Sequence, residues 1–453
     1  MERKKYFGTD GIRGVANRGH IVPEFILKLG KAAGAYFKKS KARPKIIIGK
    51  DTRLSGYMIE SALMSGICAM GADVYFVGPL PTPAISFIVR SMRADAGIVI
   101  SASHNPYSDN GIKFFGSDGR KLPDKEELAI EKLMIAGPLE GPDGDGIGKA
   151  HRVDDAEGRY IAYSKSTIDE DINFEGLKIV VDCANGAAYE VAPKIFSELG
   201  AELTVIGGKP NGLNINEGCG STVPEGMVKA VLDTGADVGI ALDGDADRAI
   251  LCDEKGQIVD GDDILFLSSM ELQETGRLQN STVIGTIMTN VGLQSALRER
   301  EITLIRAPVG DRYVQEEMTR SGSILGAEPS GHVIYSDYAP TGDGIVTALQ
   351  TVGSMVRKRS SLSTLTSGWQ RYPQTMVNLH VSDKVPLEGQ EWFDTMLDDA
   401  RNELGEDHLL SLRYSGTEPL LRVTVSCGSK SQMDKVCGDL CDALIARFGW
   451  KRM

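Results

Sequence analysis

A rhythm of short apolar runs and amphipathic stretches occurs three times along the chain, and it is the pattern that most constrains the fold. Each apolar run is typical of a buried strand, and each following stretch has apolar residues at helical spacing with glycine or proline near its ends. Strands and helices that alternate in this way form a sheet with helices on both faces. The sequence therefore predicts three tandem doubly wound mixed α/β domains.

The predicted strands form three successive groups. In order along the chain they are Lys45–Ile48, Asp73–Val77 and Gly97–Ile100, then Lys178–Val181, Glu202–Ile206 and Val238–Leu242, then Thr282–Gly285, Thr303–Arg306 and Ser323–Leu325. Helices are expected to begin near Pro23, Pro224 and Asp311, where a proline or an acidic residue suits a first helical turn. In every group the third strand leads directly into a polar loop, a coincidence that packing alone does not explain.

The last part of the chain has a different pattern. Its predicted strands accompany two helices, at about Glu388–Leu404 and Ser431–Phe448, which is typical of a small α+β domain. A chain of 453 residues is also too long for a single hydrophobic core. We predict four domains, 1–155, 156–256, 257–368 and 369–453.

Composition excludes several classes of function. A net charge of −12 argues against a nucleic acid or an anionic membrane as partner. The first residues lack the apolar core of a signal peptide, and no apolar run approaches the length of a membrane span. The 7 cysteines include no Cys-x-x-Cys pair, which favours free thiols in a reducing compartment. We expect a cytoplasmic globular protein.

The first of the polar loops follows the predicted strand in Gly97-Ile-Val-Ile-Ser-Ala-Ser-His-Asn-Pro106. Loops at the carboxyl ends of buried strands are where α/β folds place their chemistry. This loop offers hydroxyls at Ser101 and Ser103, an imidazole at His104 and an amide at Asn105. From this stretch alone an ordinary polar turn is an equal alternative.

The second loop, Asp243-Gly-Asp-Ala-Asp-Arg248, places three carboxylates at alternate positions. Hard divalent cations need several oxygen ligands, and alternating aspartates can converge on one. An EF-hand is the alternative, because Glu254 falls at the twelfth position of such a loop. However, Arg248 replaces the glycine needed at the sixth position, and a strand precedes the loop instead of a helix. We predict a Mg²⁺ site, and we interpret the similar Asp143-Gly-Asp-Gly146 as a solvated turn, since no strand precedes it.

The third loop, Gly326-Ala-Glu-Pro-Ser-Gly-His332, offers the carboxylate of Glu328, the hydroxyl of Ser330 and the imidazole of His332. This set suits the hydroxyl groups of a sugar, and a capped turn is the alternative. In the C-terminal domain, Arg413-Tyr-Ser-Gly-Thr offers a guanidinium, hydroxyls and backbone amides freed by glycine, which suits a phosphate group. An ordinary hairpin turn is the alternative there.

Together these loops favour phosphoryl transfer through a phosphoserine. A Ser-His hydrolase is weaker, because no Gly-x-Ser-x-Gly elbow is present and His104 is adjacent to Ser103, a spacing that does not ensure the geometry of a general base. No Walker loop or kinase signature supports ATP as donor. Lys113 is either a solvated surface amine or, near a phosphate and a cation, a proton-transfer group.

At these residues the chain resembles the α-D-phosphohexomutase superfamily, over essentially its whole length. The matching loops are Ser101-Ala-Ser-His-Asn-Pro106, Asp243-Gly-Asp-Ala-Asp-Arg248, Glu328-Pro-Ser-Gly-His332 and Arg413-Tyr-Ser-Gly-Thr-Glu-Pro419. Three further stretches resemble the bacterial phosphoglucosamine mutases within it, namely Phe7-Gly-Thr-Asp-Gly-Ile-Arg-Gly14, Gly49-Lys-Asp-Thr-Arg53 with Ser55-Gly-Tyr-Met58, and Asn214-Ile-Asn-Glu-Gly-Cys-Gly-Ser-Thr222.

The resemblance implies a heart-shaped, four-domain enzyme that is phosphorylated at Ser103. Mg²⁺ would be held by that phosphoserine with Asp243, Asp245 and Asp247. The positions implied to contact phosphate or move protons are Arg13, Lys113, Arg248 and His332. The positions implied to bind substrate are Ser101, His104, Glu328, Ser330, Arg413, Ser415, Gly416 and Thr417.

The implied reaction interconverts glucosamine 6-phosphate and glucosamine 1-phosphate, with a hexose 1,6-bisphosphate as intermediate and priming donor. The partner is then a small hexosamine phosphate, and a homodimer is left open. The subgroup usually has Gly-Glu-Gln-Ser-Gly-His in its sugar loop, where this chain has Ala327 and Pro329. This departure keeps a phosphoglucomutase/phosphomannomutase acting on neutral hexoses as the alternative. A non-catalytic sugar-phosphate sensor is less favoured, because a sensor needs neither the serine nor all three aspartates.

Overall fold

A computed structural model describes residues 4–8, 10–387, 389–415 and 419–453 of the chain. Backbone contacts divide it into two compact units. The first runs to Ile287 and resumes over Ala307–Thr366, and the second comprises Met288–Arg306 and Ser367–Met453. Within the described ranges, no helix combines the length and the apolar composition needed to cross a membrane.

The first sheet contains the strand that leads to Ser103. Its region comprises β1 (Ile12–Val15), α1 (Pro23–Lys38), β2 (Lys45–Lys50), α2 (Ser55–Ala69), β3 (Asp73–Pro79), α3 (Thr82–Ser91), β4 (Ala96–Ile100), β5 (Asp109–Gly116), α4 (Asp124–Ile135) and β6 (Ala150–Arg152). The strand order is β1-β5-β4-β2-β3-β6. Strand β2 is parallel to β3 and β4, whereas β5 is antiparallel to β4 and β1. Every residue of β4 is buried, which explains its continuous apolar sequence.

The second sheet presents the three aspartates. Its region comprises α5 (Ala156–Lys165), β7 (Lys178–Asp182), α6 (Val191–Glu198), β8 (Glu202–Ile206), α7 (Glu225–Thr234), β9 (Val238–Leu242), β10 (Ala249–Asp253) and β11 (Ile258–Val259). The order is β11-β10-β9-β7-β8, with β7 parallel to β8 and β9 and with β10 antiparallel to β9. The aspartate loop therefore connects the buried strands β9 and β10.

The next stretch of the chain carries Glu328, Ser330 and His332. The elements in this stretch of chain are α8 (Gly261–Glu274), β12 (Thr282–Thr286), α9 (Val291–Arg298), β13 (Thr303–Ala307), α10 (Asp311–Ser321), β14 (Leu325–Ala327), β15 (Val333–Tyr335), α11 (Gly344–Lys358) and α12 (Leu362–Leu365). Strand β14 is parallel to β12 and antiparallel to β15. The helix α9 and most of β13 belong to the second unit.

The second unit also contains an antiparallel sheet. Its elements are β16 (Gln374–His380), α13 (Glu391–Leu404), β17 (His408–Tyr414), β18 (Leu420–Cys427), α14 (Lys430–Phe448) and β19 (Lys451–Arg452). The strand order is β17-β18-β16-β19, and apolar side chains of α13 and α14 form a core with β16 and β18. The predicted fold class, α/β with a C-terminal α+β part, is confirmed.

The antiparallel strands β1, β5, β10 and β11 of the first two sheets were not predicted from the sequence. Ile12–Val15, which overlaps the end of the Phe7–Gly14 stretch, forms β1 because it pairs with β5. Strand β14 begins at Leu325, later than the predicted Ser323. The Ser323 hydroxyl donates to the carbonyl of Thr282, 2.8 Å away, and so anchors the residue ahead of the strand.

The N-terminus of α11 supports the aspartate loop. The Asp343 carboxylate caps this helix by accepting hydrogen bonds from the backbone N–H of Ile345 and Val346, both at 3.0 Å. The buried Tyr160 hydroxyl donates to the same carboxylate at 2.9 Å. Burial raises the pKa of Asp343 to about 6, against these hydrogen bonds. The backbone N–H of Gly344 donates to the carbonyl of Ala246, so the capped helix holds the loop from behind.

Replacing Tyr160 with phenylalanine should destabilise the chain in a pH-dependent way. The variant keeps the ring but leaves a buried carboxylate without one donor, so we expect the free energy of unfolding to fall by about 1–3 kcal/mol near neutral pH. Since the folded-state pKa of Asp343 is raised to about 6, the carboxyl is largely neutral at lower pH and the loss should shrink there. Urea denaturation near neutral pH, and again below the Asp343 pKa of about 6, measures the loss of stability and its decrease at low pH.

The neighbouring Tyr163→Phe is the matched control. The Tyr163 hydroxyl donates to the neutral backbone carbonyl of Tyr338, so its loss should be smaller and independent of pH over this range. An equal loss at both pH values in Tyr160→Phe would contradict the assignment of Asp343 as a carboxylate that ionises within the fold.

Candidate active site

Ser103 lies in a left-handed turn just beyond the end of β4. Its φ of 52° is unfavourable for a residue with a side chain, at a cost of about 1–2 kcal/mol. The backbone N–H of Ser103 donates to Ser101 Oγ at 2.9 Å, and the N–H of Asn105 donates to the carbonyl of Ala102 at 3.1 Å. In this conformation the buried Ser103 Oγ donates to Asp243 Oδ2, 2.6 Å away. The turn therefore aims the hydroxyl at the aspartate loop.

Arg53 binds the carbonyl side of the same turn. This fully buried guanidinium is ion-paired with Asp51, and its Nη2 donates to the carbonyls of Ser103 at 3.1 Å and Asn105 at 2.5 Å. Burial raises the pKa of Asp51, although Arg53 opposes the shift. Both residues belong to the Gly49–Arg53 stretch, to which the sequence reasoning gave no role.

The three aspartates converge as predicted. Asp243, Asp245 and Asp247 are buried, and one oxygen from each lies within 4.8 Å of the others. Asp245 Oδ2 accepts hydrogen bonds from Thr82 Oγ1 at 2.6 Å and Lys113 Nζ at 2.9 Å. The pKa of Asp243 is raised well above its usual range by burial and by its two like-charged neighbours. Burial would also raise the pKa of Asp247, but His332, Lys113 and Arg248 hold it below its usual range, so the repulsion acts mainly on Asp243.

The donor set fits a hard divalent cation. Asp245 Oδ1 is buried and accepts no hydrogen bond from any of the described residues, so it is available as a ligand. The ligands are all carboxylate oxygens, which Mg²⁺ prefers to nitrogen or sulfur. Bringing in such an ion would relieve the repulsion that raises the pKa of Asp243.

Lys113 supplies a fixed positive charge behind the aspartates. Its buried Nζ lies 2.9 Å from Asp245, 3.2 Å from Asp10 and 3.8 Å from Asp247. Burial would lower the pKa of this amine, but the three carboxylates outweigh burial and raise it above its ordinary value. Lys113 is therefore an ammonium in this arrangement and not the solvated amine considered as the alternative.

His104 lies beside Ser103 but faces a cation. Its Nδ1 is 3.2 Å from Ser103 Oγ and 3.3 Å from Arg248 Nη1. Burial, with Arg248 and Arg13, lowers the pKa of His104. Because Ser103 Oγ is closer to Asp243 than to His104, the geometry disfavours the Ser-His nucleophile pair of a hydrolase.

His332 lies at the other side of the cluster. It is buried, with Nδ1 3.7 Å from Asp247 Oδ1 and Nε2 3.8 Å from Asp311 Oδ2. Burial alone would lower the pKa of His332, but Asp247, Asp311 and Glu328 raise it. The carboxylates therefore favour the protonated imidazole, whereas the backbone N–H of Gly342, which donates to Nε2 at 3.2 Å, favours the neutral ring.

Sequence reasoning missed a chain of alternating charges beside these residues. Asp10 is ion-paired with Arg13, and its other oxygen lies 2.5 Å from Lys121 Nζ. Lys121 Nζ is also 2.5 Å from Asp311 Oδ2. Although burial favours the neutral acid, Lys113, Lys121 and Arg13 hold the pKa of Asp10 well below its usual range. Asp10 lies within the Phe7–Gly14 stretch and could have been found there, whereas Lys121 and Asp311 stand in stretches without a motif.

A cavity of about 710 Å³ lies next to the cluster, with Asp247 in its lining. Among the residues that line it are Arg13, Ser103, His104, Arg248, Glu328 and His332. The Glu328 carboxylate is oriented by the backbone N–H of Gly310, which donates to Oε1 at 3.0 Å. Ser101 does not line the cavity, since it is buried below Ser103, and Ser330 lies exposed on a turn.

The predicted phosphate loop belongs to the second unit. Arg413 is exposed on β17, opposite Arg422 of β18. The carbonyl of Ser415 accepts from Lys384 Nζ at 2.5 Å, and the N–H of Ser415 donates to the carbonyl of Leu420 at 2.8 Å. Gly416 and Thr417 lie outside the described residues.

Comparisons with known proteins agree with this architecture. Four family models match in order, described as Phosphoglucomutase/phosphomannomutase alpha/beta/alpha domains I (residues 4–138), II (158–256) and III (260–372) and the C-terminal domain (376–443). A curated relative from Syntrophotalea carbinolica is 50% identical over 99% of this chain and 98% of its own length. Another from Geobacter sp. is 49% identical, with 98% and 99% covered. Both are named phosphoglucosamine mutase.

Solved structures are similar over nearly the whole chain. A phosphoglucomutase/phosphomannomutase family protein from Burkholderia thailandensis has a TM-score of 0.79 at 25% identity, with 97% of each chain covered. The N-acetylphosphoglucosamine mutase of Aspergillus fumigatus, in complex with GlcNAc-6P and magnesium, shares the fold with a TM-score of 0.66 at 15% identity, covering 98% of this chain and 96% of its own. With all four domain models matched in order, this chain belongs to the phosphoglucomutase/phosphomannomutase family of α-D-phosphohexomutases.

Proposed function

We propose that this chain interconverts glucosamine 6-phosphate and glucosamine 1-phosphate through a phosphoserine at Ser103 and a glucosamine 1,6-bisphosphate intermediate. The observation that carries the proposal is the position of Ser103 Oγ, in the cavity wall and 2.6 Å from Asp243 in the three-aspartate cluster. Full-length relatives at 49–50% identity with the name phosphoglucosamine mutase support the choice of reaction.

The residues that would hold Mg²⁺ are Asp243, Asp245 and Asp247, together with the phosphorylated Ser103. When bound, the ion supplies positive charge that neutralises the oxygens of the phosphoryl group during transfer. The chain supplies cations of its own at this position, because Arg13 and Arg248 line the same cavity as Ser103 and His104. Guanidinium groups bind phosphate oxygens through two parallel N–H donors, so these arginines would orient the phosphoryl group.

The transfer is balanced over two half-reactions. In the first, the bond between phosphorus and Ser103 Oγ breaks, and a bond forms from phosphorus to the sugar hydroxyl oxygen, which gives up its proton. Ser103 Oγ takes up a proton and then donates it in a hydrogen bond to Asp243, as in this structure. After the bisphosphate turns round, the reverse step returns the other phosphoryl group to Ser103. A hexose 1,6-bisphosphate also primes any unphosphorylated serine.

The sugar would be held by the loop around Glu328. Gly310 fixes this carboxylate at the edge of the cavity, where it can accept from sugar hydroxyls or from an ammonium at C2. We assign Ser330 to the same loop, and Arg413, Ser415, Gly416 and Thr417 to the phosphate that is not transferred. Lys113, His332, Ser101 and His104 complete the proposed site.

The wider organisation is proposed on the same basis. We propose the domains 1–155, 156–256, 257–368 and 369–453, and a place in the cytoplasm, which the 7 free cysteines support. Light scattering of the purified protein would test for a homodimer.

Ser103→Ala should abolish turnover and remove phosphate from the protein. Intact mass and peptide mapping of purified wild type should place one phosphate on Ser103, and none should be found in the variant. Ser108→Ala is the matched control, because Ser108 is an exposed serine of the same loop. Full turnover in Ser103→Ala would overturn the covalent mechanism.

The aspartate cluster should bind Mg²⁺ in the absence of any sugar. A ligand at about a hundredfold excess over its Kd stabilises the folded state by about 2.7 kcal/mol, so Mg²⁺ should raise the melting temperature by several degrees. Asp245→Asn removes a ligand charge and should abolish most of that shift. Asp145→Asn, in the exposed turn Gly144–Gly146, is the control and should keep it. An equal shift in both variants would contradict a metal site at Asp245.

The substrate is tested by kcat/KM for glucosamine, glucose and mannose 6-phosphates with identical bisphosphate priming and Mg²⁺. We expect the highest value for glucosamine 6-phosphate, with some turnover of the neutral sugars, because one polar contact separates related hexoses by only about 1–3 kcal/mol. A higher value for a neutral sugar would reassign the chain to the phosphoglucomutase/phosphomannomutase reaction. Binding without any conversion would favour the sensor.

A further inference from the structure

We infer that Asn216 is a positioning residue for Ser103, acting from the region of the second sheet on the turn of the first. Its side-chain Nδ2 donates to the carbonyl of Ser103 at 2.9 Å and to the carbonyl of Asn105 at 3.0 Å. An amide group has two N–H donors, and here one goes to each carbonyl. Asn216 belongs to the Asn214–Thr222 stretch and is not among the residues that line the cavity.

The two carbonyls are fully used by Asn216 and Arg53 together. A carbonyl oxygen accepts two hydrogen bonds, and Arg53 Nη2 donates to the same pair of oxygens. Arg53 reaches them from the segment after β2, whereas Asn216 reaches them from the segment between β8 and α7. The left-handed turn is therefore clamped from two separate parts of the chain.

The surrounding backbone is shaped to bring Asn216 to this position. Asn216 itself has a φ of 60°, a conformation that asparagine tolerates better than most residues, and its N–H donates to the carbonyl of Ala184. Gly244 of the aspartate loop lies against both partners. A Cβ at Gly244 would be 2.6 Å from the carbonyl oxygen of Ser103 and 2.9 Å from Asn216 Nδ2. Because Gly244 has no side chain, the Asn216 amide has room to reach the carbonyl of Ser103.

The consequence is a fixed distance between the serine and the aspartates. Asn216 is held by its N–H bond to the carbonyl of Ala184 and lies against Gly244, so its amide keeps the turn of Ser103 beside the loop that holds Asp243. Misplacing a reacting atom by about 1 Å can cost about a hundredfold in rate. A change at Asn216 should therefore lower kcat, while KM for the sugar phosphate stays nearly unchanged because Asn216 does not reach the cavity.

Two substitutions at Asn216 test the role of its side-chain amide separately from the role of its backbone conformation. Asn216→Gly keeps the left-handed conformation without strain and removes both donors. Asn216→Asp keeps the size and shape but replaces the donors with an oxygen that repels the carbonyls. We expect kcat to fall about tenfold or more in both variants. Hydrogen–deuterium exchange of the 101–109 peptide should become faster, a measurement that requires no turnover.

Asn280 supplies the matched control. It is an exposed asparagine with a φ of 54°, and its Nδ2 donates to the carbonyl of Ser321 at 3.0 Å. Asn280→Gly and Asn280→Asp therefore make the same chemical changes away from Ser103, and they should leave kcat and the 101–109 exchange rate at wild-type values. Melting temperatures of all four variants report any general loss of stability.

This inference rests on the proposed function, and the two fail in different ways. A wild type that converts no hexose phosphate overturns the proposed function, and the exchange rates still test the positioning role. Wild-type kcat and exchange in both Asn216 variants overturn the positioning role alone. So does a fall in kcat that the Asn280 pair reproduces at an equal change in melting temperature. If Asn216→Gly does not fold, Asn216→Asp decides by the same criteria.

Discussion

The mutual repulsion of three buried carboxylates is the interaction on which the rest of the site depends. With their oxygens within 4.8 Å, each ionised pair costs about 3 kcal/mol or more at an effective dielectric of about 20. Lys113 and the Thr82 hydroxyl compensate part of this charge at Asp245. The remaining negative charge favours a divalent cation among the three carboxylates. The empty site therefore costs folding free energy, and it favours a ligand that brings positive charge.

Such a cluster persists only because the surrounding fold holds it in place. The aspartate loop lies between two buried strands and is contacted from behind by the capped end of α11 through Gly344. Ser103 is held in an unfavourable backbone conformation by donors from two separate parts of the chain, Arg53 and Asn216, which share the carbonyl oxygens of its turn. These contacts fix the geometry of the site at a cost in folding free energy, since they impose left-handed backbone and bury charge. The same cost in stability is expected in any site whose charges are fixed before the substrate binds.

The sequence predicted the parallel strands well because strands covered on both faces need continuous apolar runs. It predicted Ser103, the aspartates and Glu328 as site residues because each stands at the end of such a run. The antiparallel strands β1 and β5 were missed, since both mix apolar residues with glycine and charged residues and so form no continuous apolar run. Lys121 and Asp311 were missed for a related reason, because a charged residue in a chain gives no sign that it will be buried.

The sequence alone determined the order of the elements, the residue types in each loop and the likeness to a mutase family, since these depend on local patterns and motifs. Only the tertiary structure decided the protonation of Lys113, the orientation of His104 toward Arg248 and the contact of Asn216 with the turn of Ser103. Each of these depends on which residues from distant parts of the chain meet and how far they are removed from water. Burial and long-range pairing set the strength of charge interactions, and neither can be read from neighbours in sequence.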